Sequence, residues 1–216
     1  DTAFDNTSDP RRPLNDYRRL TESALTRHPD VDLIVWPESM YQPIVDTAKG
    51  VQNLSWLSID HPVQLDPEFP RSQTEFVAEL NYGADLARQE ARRFARNFQA
   101  SAIVGTECFA FGDHPVRRYN SALWFDENGN EAGRYDKMHP VLFGEYVPLG
   151  DVFPWLYRLT PMSTGLDVGT KPLAVHIKND AGDPIIVSPC ICFENTVPHL
   201  LRRHVRELVS ANQSPD

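Results

Sequence analysis

The chain has 216 residues, with 21 Lys+Arg against 30 Asp+Glu, a net charge of -9 and 41% hydrophobic residues. That balance is globular and acidic: it excludes a disordered or fibrous chain and argues against nucleic acid as a partner, because phosphate backbones demand a basic surface. No apolar run approaches the roughly 20 residues a membrane span needs, and the first residues do not resemble a signal peptide.

In chain order, Asp1–Arg12 is polar and aperiodic, which predicts a loop. From Pro13, residues Leu14, Tyr17, Leu20, Ala24 and Leu25 recur at helical spacing, with Pro29 as the stop. Val31–Trp36 reads as a buried strand ended by Pro37. The stretch from there to Pro70 is proline-rich and holds no strong pattern, so it reads as a long functional loop. Ser72–Phe98 is the strongest helix, with Phe76, Leu80, Ala84, Ala87, Ala91, Phe94 and Phe98 on one stripe. Its Arg88, Arg92, Arg93 and Arg96 read as a solvated face. Strands are expected at Ser101–Cys108 and Ser121–Phe125, and Asp126–Asn130 has hairpin-turn chemistry leading into a strand through Tyr135. A short helix near Phe153–Leu159 comes next. Leu173–Lys178 and Ile185–Ser188 form a second hairpin around Asn179–Gly182, and a last helix runs from Pro198 to about Leu208. Such intermixing favours a mixed sheet flanked by helices over a regular doubly wound one.

Three segments each place one reactive side chain just past a strand. Glu38 follows Asp32-Leu-Ile-Val-Trp-Pro and would sit at a sheet edge, partly desolvated, as a base or as an ordinary acidic loop residue. Lys137 lies in Tyr135-Asp-Lys-Met-His-Pro-Val-Leu-Phe-Gly-Glu145, where lysine suits a developing oxyanion and Glu145 could orient it. His139 reads as structural. Cys192 ends Ile185-Ile-Val-Ser-Pro-Cys-Ile-Cys, a sharp exit from a strand where backbone N–H dipoles stabilise a thiolate. Cys108 and Cys190 better fit small buried hydrophobes. Gly-x-Ser-x-Gly, P-loop and His-Glu-x-x-His motifs are absent from the sequence. A zinc site is not expected, since Cys190-x-Cys192 has no second ligand pair and His199 and His204 are five apart.

Taken in order, Glu, Lys and Cys resemble the catalytic triad of the nitrilase (carbon–nitrogen hydrolase) superfamily. Tyr119-Asn-Ser-Ala-Leu-Trp-Phe-Asp-Glu-Asn-Gly129, Tyr135-Asp-Lys137-Met-His139, Phe143-Gly-Glu145-Tyr-Val-Pro-Leu149 and Pro161-Met-Ser163 are similar to one branch, the apolipoprotein N-acyltransferases. The resemblance implies a single domain over 1–216, its motifs within about 13–208. It implies an α+β (mixed α/β) fold, the nitrilase-like α-β-β-α sandwich, truncated at both ends. Glu38 would be the general base, Lys137 the oxyanion lysine and Cys192 the nucleophile. Glu145 and Glu194 would be supporting carboxylates, and Phe193 stands where this branch commonly has tyrosine. Pro140 and Leu142 depart from the usual Leu and Pro of the lysine loop. The implied activity moves an acyl group from a phospholipid donor through a Cys thioester to the N-terminal amine of a diacylglyceryl-cysteine lipoprotein. It needs no metal and no cofactor. The implied setting is the bacterial inner membrane, reached through parent segments outside this chain, with this domain on the periplasmic side and the fragment itself soluble. A soluble nitrilase-type amidase and an inactive fragment are the competing expectations. Tyr41, Trp56, Leu57, Phe153, Trp155, Leu156 and Met162 would form either an apolar mouth or ordinary packing.

Overall fold

The computed structural model describes residues 12–38, 44–47, 50–53, 56–59, 72–111, 117–150, 152–159, 165–178 and 182–213. Its longest element in the sheet is β5 (Ser101–Phe111), and the other strands gather around it. The first strand, β1 (Leu33–Val35), pairs in parallel with Ser101–Ile103, and β6 (Arg117–Phe125) runs antiparallel along nearly the whole of β5. Next, β7 (Glu131–Asp136) pairs antiparallel with β6. The result is a mixed sheet, as expected from the intermixed elements.

Period-two alternation divides the sheet's two faces. Ala102, Val104, Leu123 and Phe125 face one core, closed by α1 (Arg12–Arg27) and α2 (Gln73–Phe98) through Leu14, Ala91, Phe94 and Ala95. Ile103, Ala122 and Tyr135 face a second core with Met138, Val175, Ile191, Val197 and Leu200. Covering both faces is why these strands read as continuous apolar runs in the sequence. The second core is supplied by the hairpin β8 (Val175–Lys178) and β9 (Pro184–Val187) and by α3 (Pro198–Gln213).

Local chemistry explains the boundaries. Ser72 caps α2, its hydroxyl accepting from Glu75 N at 3.3 Å. Asp126 closes the β6–β7 turn by accepting from the backbone N–H of Asn128 and Asn130. Gly129 there has φ +77, and a Cβ would come within 2.7 Å of the Arg92 carbonyl, so the turn seats directly on α2.

The structure corrects several boundaries. The stretch to Pro70, read as a patternless loop, contains β2 (Ile44–Thr47), β3 (Gly50–Asn53) and β4 (Trp56–Ile59). Strand β4 pairs in parallel with Cys108–Phe111. The reason is the length of β5: β1 covers only its first three residues, and β4 pairs further along, using backbone groups that leave no side-chain pattern. Accordingly β5 continues past Cys108 to Phe111, β6 begins at Arg117 instead of Ser121, and α3 continues to Gln213. The short helix is a 3-10 helix, Pro154–Leu159. Of the loop expected at 1–12, Arg12 instead opens α1 and the rest lies outside the described residues, as do 179–181 of the turn expected at 179–182, Tyr41 and Met162.

Phe94 tests the first core. It is buried, with its ring 4.3 Å from Trp36 and 4.8 Å from Phe98 between centroids. Phe94→Ala is expected to cost about 3–5 kcal/mol, read as a lowered urea midpoint with an unchanged denaturant slope.

Candidate active site

Two loops meet beneath the open face of the second core, and one carboxylate ties them together. Glu194 is completely buried. Its Oε1 accepts from the backbone N–H of Met138 at 2.7 Å and His139 at 2.9 Å, and its Oε2 accepts from Tyr135 OH and Ile191 N, both at 2.8 Å. Burial together with the Glu194 charge pushes the Tyr135 phenol well above its ordinary range, so it stays a donor.

Lys137 follows β7 directly, its N–H donating to the Asn120 carbonyl at 2.8 Å and its carbonyl accepting from Gly169 N at 2.9 Å. A Cβ on Gly169 would overlap the Asp136 carbonyl, so only glycine lets that segment lie against the lysine. The Lys137 side chain is 1% exposed. Its Nζ is 2.7 Å from Glu145 Oε1 and 3.6 Å from Glu38 Oε1. Glu145 Oε2 in turn accepts from Val141 N at 2.8 Å, which folds the lysine loop back on itself.

Glu38 lies just beyond β1, after Pro37, and is half-buried. Asn120 Nδ2 donates to its Oε1. The structure therefore brings Glu38, Lys137 and Glu145 into one cluster. Cys192 begins a 3-10 turn, Cys192–Thr196, with φ +54, and is exposed. Such a φ is unusual for a residue other than glycine and carries strain of about 1–3 kcal/mol; the Glu194 bonds on either side of it hold the loop in that form. Phe193 is also exposed. A cavity of about 620 Å³ opens beside Phe193, lined by Met138, His139, Pro140, Val141, Leu142, Tyr146, Val168 and Phe193.

The other cysteines differ from Cys192. Cys108 is buried, and burial pushes its thiol up to about 12. Cys190 lies 3.8 Å from His204 Nδ1; burial pushes this thiol up and the imidazole down, so both are neutral at neutral pH. The His139 ring packs edge-on against His199 at 6.0 Å. Among the arginines of α2, Arg88 pairs with Asp85, Arg93 with Glu90, and Arg96 donates to the Asn128 carbonyl. Phe153 and Trp155 are exposed beyond the lysine loop, together with Phe143, Leu149 and Val152.

The carbon–nitrogen hydrolase family model matches residues 7–209. This chain belongs to that family. A relative from Rhodopirellula baltica, apolipoprotein N-acyltransferase, is 31% identical over 193 residues, covering 83% of this chain and 32% of the relative. One of the same name from Geobacter metallireducens is 27% identical over 190 residues, covering 88% of this chain and 28% of the relative. The chain thus spans about a third of the length of these relatives. Among solved structures, a mutant amidase from Nesterenkonia sp. AN1, described with acrylamide added at its active-site cysteine, superposes with a TM-score of 0.51 at 15% identity. That match covers 92% of this chain and 58% of the amidase, which establishes the shared fold. No helix among the described residues is long and apolar enough to cross a membrane.

This member of the family carries two residues at the candidate site that sequence reasoning passed over. Asn120 and Tyr135 both stand inside quoted motifs, Asn120 at a buried position of β6 and Tyr135 two residues before the lysine. A polar group in a buried strand is the informative exception, because it needs a partner.

The four bonds to Glu194 make a stability prediction. Glu194→Gln places an amide where a donor already points and removes the charge, and is expected to cost about 3–5 kcal/mol. Tyr135→Phe removes one donor only and should cost about 1.5–3 kcal/mol. Denaturant titrations of the two variants check the order.

Cys108 makes a pH prediction. Unfolded, its thiol ionises near 9, whereas the native thiol holds its proton to about 12. Between those values the native state binds more protons than the unfolded state, so stability falls as pH rises. The unfolding midpoint should drop on going from pH 8 to pH 10.5, and drop less in Cys108→Ala.

Proposed function

We propose that this chain is the catalytic domain of an N-acyltransferase, with Glu38, Lys137 and Cys192 as its working residues. The observation that carries the reading is the cavity that Phe193, the residue after Cys192, lines together with the lysine loop. Its size lies within the range of ligand sites, and its walls are mostly apolar: Met138, Pro140, Val141, Leu142, Val168 and Phe193. A small amide needs few such contacts, whereas a fatty acyl chain needs many. The names of the relatives point the same way.

In this reading Glu38 takes the Cys192 thiol proton, and the thiolate attacks the carbonyl carbon of a phospholipid ester. Lys137 and the N–H at or near Phe193 hold the tetrahedral oxyanion, a single such donor being worth about 2.7–4 kcal/mol. Collapse breaks the ester C–O bond, and Glu38 returns the proton to the departing lysophospholipid alkoxide. The acyl group is left as a Cys192 thioester. The N-terminal amine of a diacylglyceryl-cysteine lipoprotein then attacks; its proton passes by way of Glu38 to the departing sulfur, giving the amide and the free thiol. Glu145 and Glu194 act through the geometry of the lysine and cysteine loops, and Phe193 contributes its ring to the cavity wall. No metal or cofactor enters the scheme. The setting is the bacterial inner membrane, with this domain on the periplasmic side.

A two-step scheme with a covalent intermediate predicts ping-pong kinetics. Incubation of the protein that carries this chain with phospholipid vesicles should give an acyl adduct by intact mass, labile to hydroxylamine and absent from Cys192→Ala. Added diacylglyceryl-cysteine peptide should discharge it as amide. No adduct, or one that survives in Cys192→Ala, would overturn the assignment; rapid discharge to water without acceptor would favour an amidase.

A further inference from the structure

Asn120 lies on β6, opposite Glu107 of β5, and is 7% exposed. Two of its groups reach the candidate site in different ways. Its backbone carbonyl accepts the N–H of Lys137 at 2.8 Å, which sets where the lysine leaves the sheet. Its side-chain amide donates to Glu38 Oε1, the same oxygen that faces Lys137 Nζ at 3.6 Å. The amide orientation follows from the chemistry, since a carboxylate accepts and the nitrogen must face it. The consequence is that Asn120 Oδ1 is buried with no partner among the described residues.

An orphaned buried carbonyl is a cost, and an apolar side chain on this strand would remove it. What the asparagine supplies in return is the bond to Glu38. We propose that Asn120 is a positioning residue that divides the labour of the two Glu38 oxygens: Oε1 is anchored, and Oε2 is the oxygen that receives the proton. Among the described residues Glu38 Oε2 accepts no hydrogen bond. A hydrogen-bond donor to a carboxylate oxygen favours the ionised form in general, which is what the test below reads. The charged groups of this cluster are Lys137, in contact with Glu38, and Glu145, which holds the same ammonium at 2.7 Å; Cys192 is the ionisable partner the proposal invokes. The proposal rests on the reading of Glu38 as the base.

The test is the pH dependence of Cys192 alkylation by iodoacetamide in the protein that carries this chain, followed by peptide mass spectrometry. Mass mapping separates Cys192 from Cys108 and Cys190. Loss of the amide donor should move the acid limb of the profile upward by about one pH unit, a roughly tenfold slowing on that limb, while rates converge at high pH. Asn120→Ala removes the donor. Asn120→Asp keeps the shape and adds a second carboxylate, so it should shift the limb further and remains readable if the alanine variant does not fold. Slowing by one factor at every pH, or an unmoved limb, would mean that Asn120 only packs, and the proposal falls. Glu38→Gln separates this failure from failure of the underlying reading. If its acid limb disappears, Glu38 is the base whatever Asn120 does; if the limb persists, the base reading falls and takes this proposal with it.

Discussion

The candidate site depends on one buried charge, the Glu194 carboxylate. A carboxylate removed from water costs several kcal/mol unless its lone pairs are filled by good donors. Four donors meet that demand, and they come from β7, from the lysine loop and from the cysteine loop, up to 59 residues apart in sequence. No donor can leave without exposing the charge to an apolar core, so the two loops keep one relative position. The positive φ of Cys192 is tolerable for the same reason: Ile191 N is bonded to Oε2 and the Ile191 carbonyl accepts from Glu194 N at 3.3 Å, which brackets the strained residue. Aspartate would be one methylene too short to span this arrangement, and glutamine has one acceptor for donors on both sides.

Much of this was legible from the chain. The alternation of Ala102, Ile103 and Val104 gives each face of the sheet its own core, and Ser72, Asp126 and Gly129 mark their boundaries by side-chain chemistry that acts within a few residues. Of the motif residues, Lys137 lies between Glu38 and Glu145. What was not legible has a common physical cause. Strand β4 is held by backbone pairing to β5, and backbone groups are the same in every residue. Tyr135 and Asn120 matter because of where they point across a gap in sequence of 59 and 82 residues, and no local pattern encodes a partner that distant.

The three carboxylates around the site differ in how many of their oxygens are spoken for, and that difference assigns them different chemistry. Glu194 has both oxygens doubly bonded and no contact with solvent. Glu145 gives one oxygen to Lys137 and the other to Val141 N. Each is saturated, and a proton added to either would break a bond that shapes a loop. Glu38 alone of the three has an oxygen that accepts no hydrogen bond among the described residues, and its side chain is the most exposed of the three. In the proposed mechanism, where Glu38 takes up and releases a proton in each turnover, such an oxygen receives the proton while the other keeps the carboxyl in place. Lys137 completes the division. It is held between Glu145 and Glu38 and shielded from water. In the proposed mechanism the proton therefore falls on Glu38, whose Oε2 accepts no hydrogen bond among the described residues.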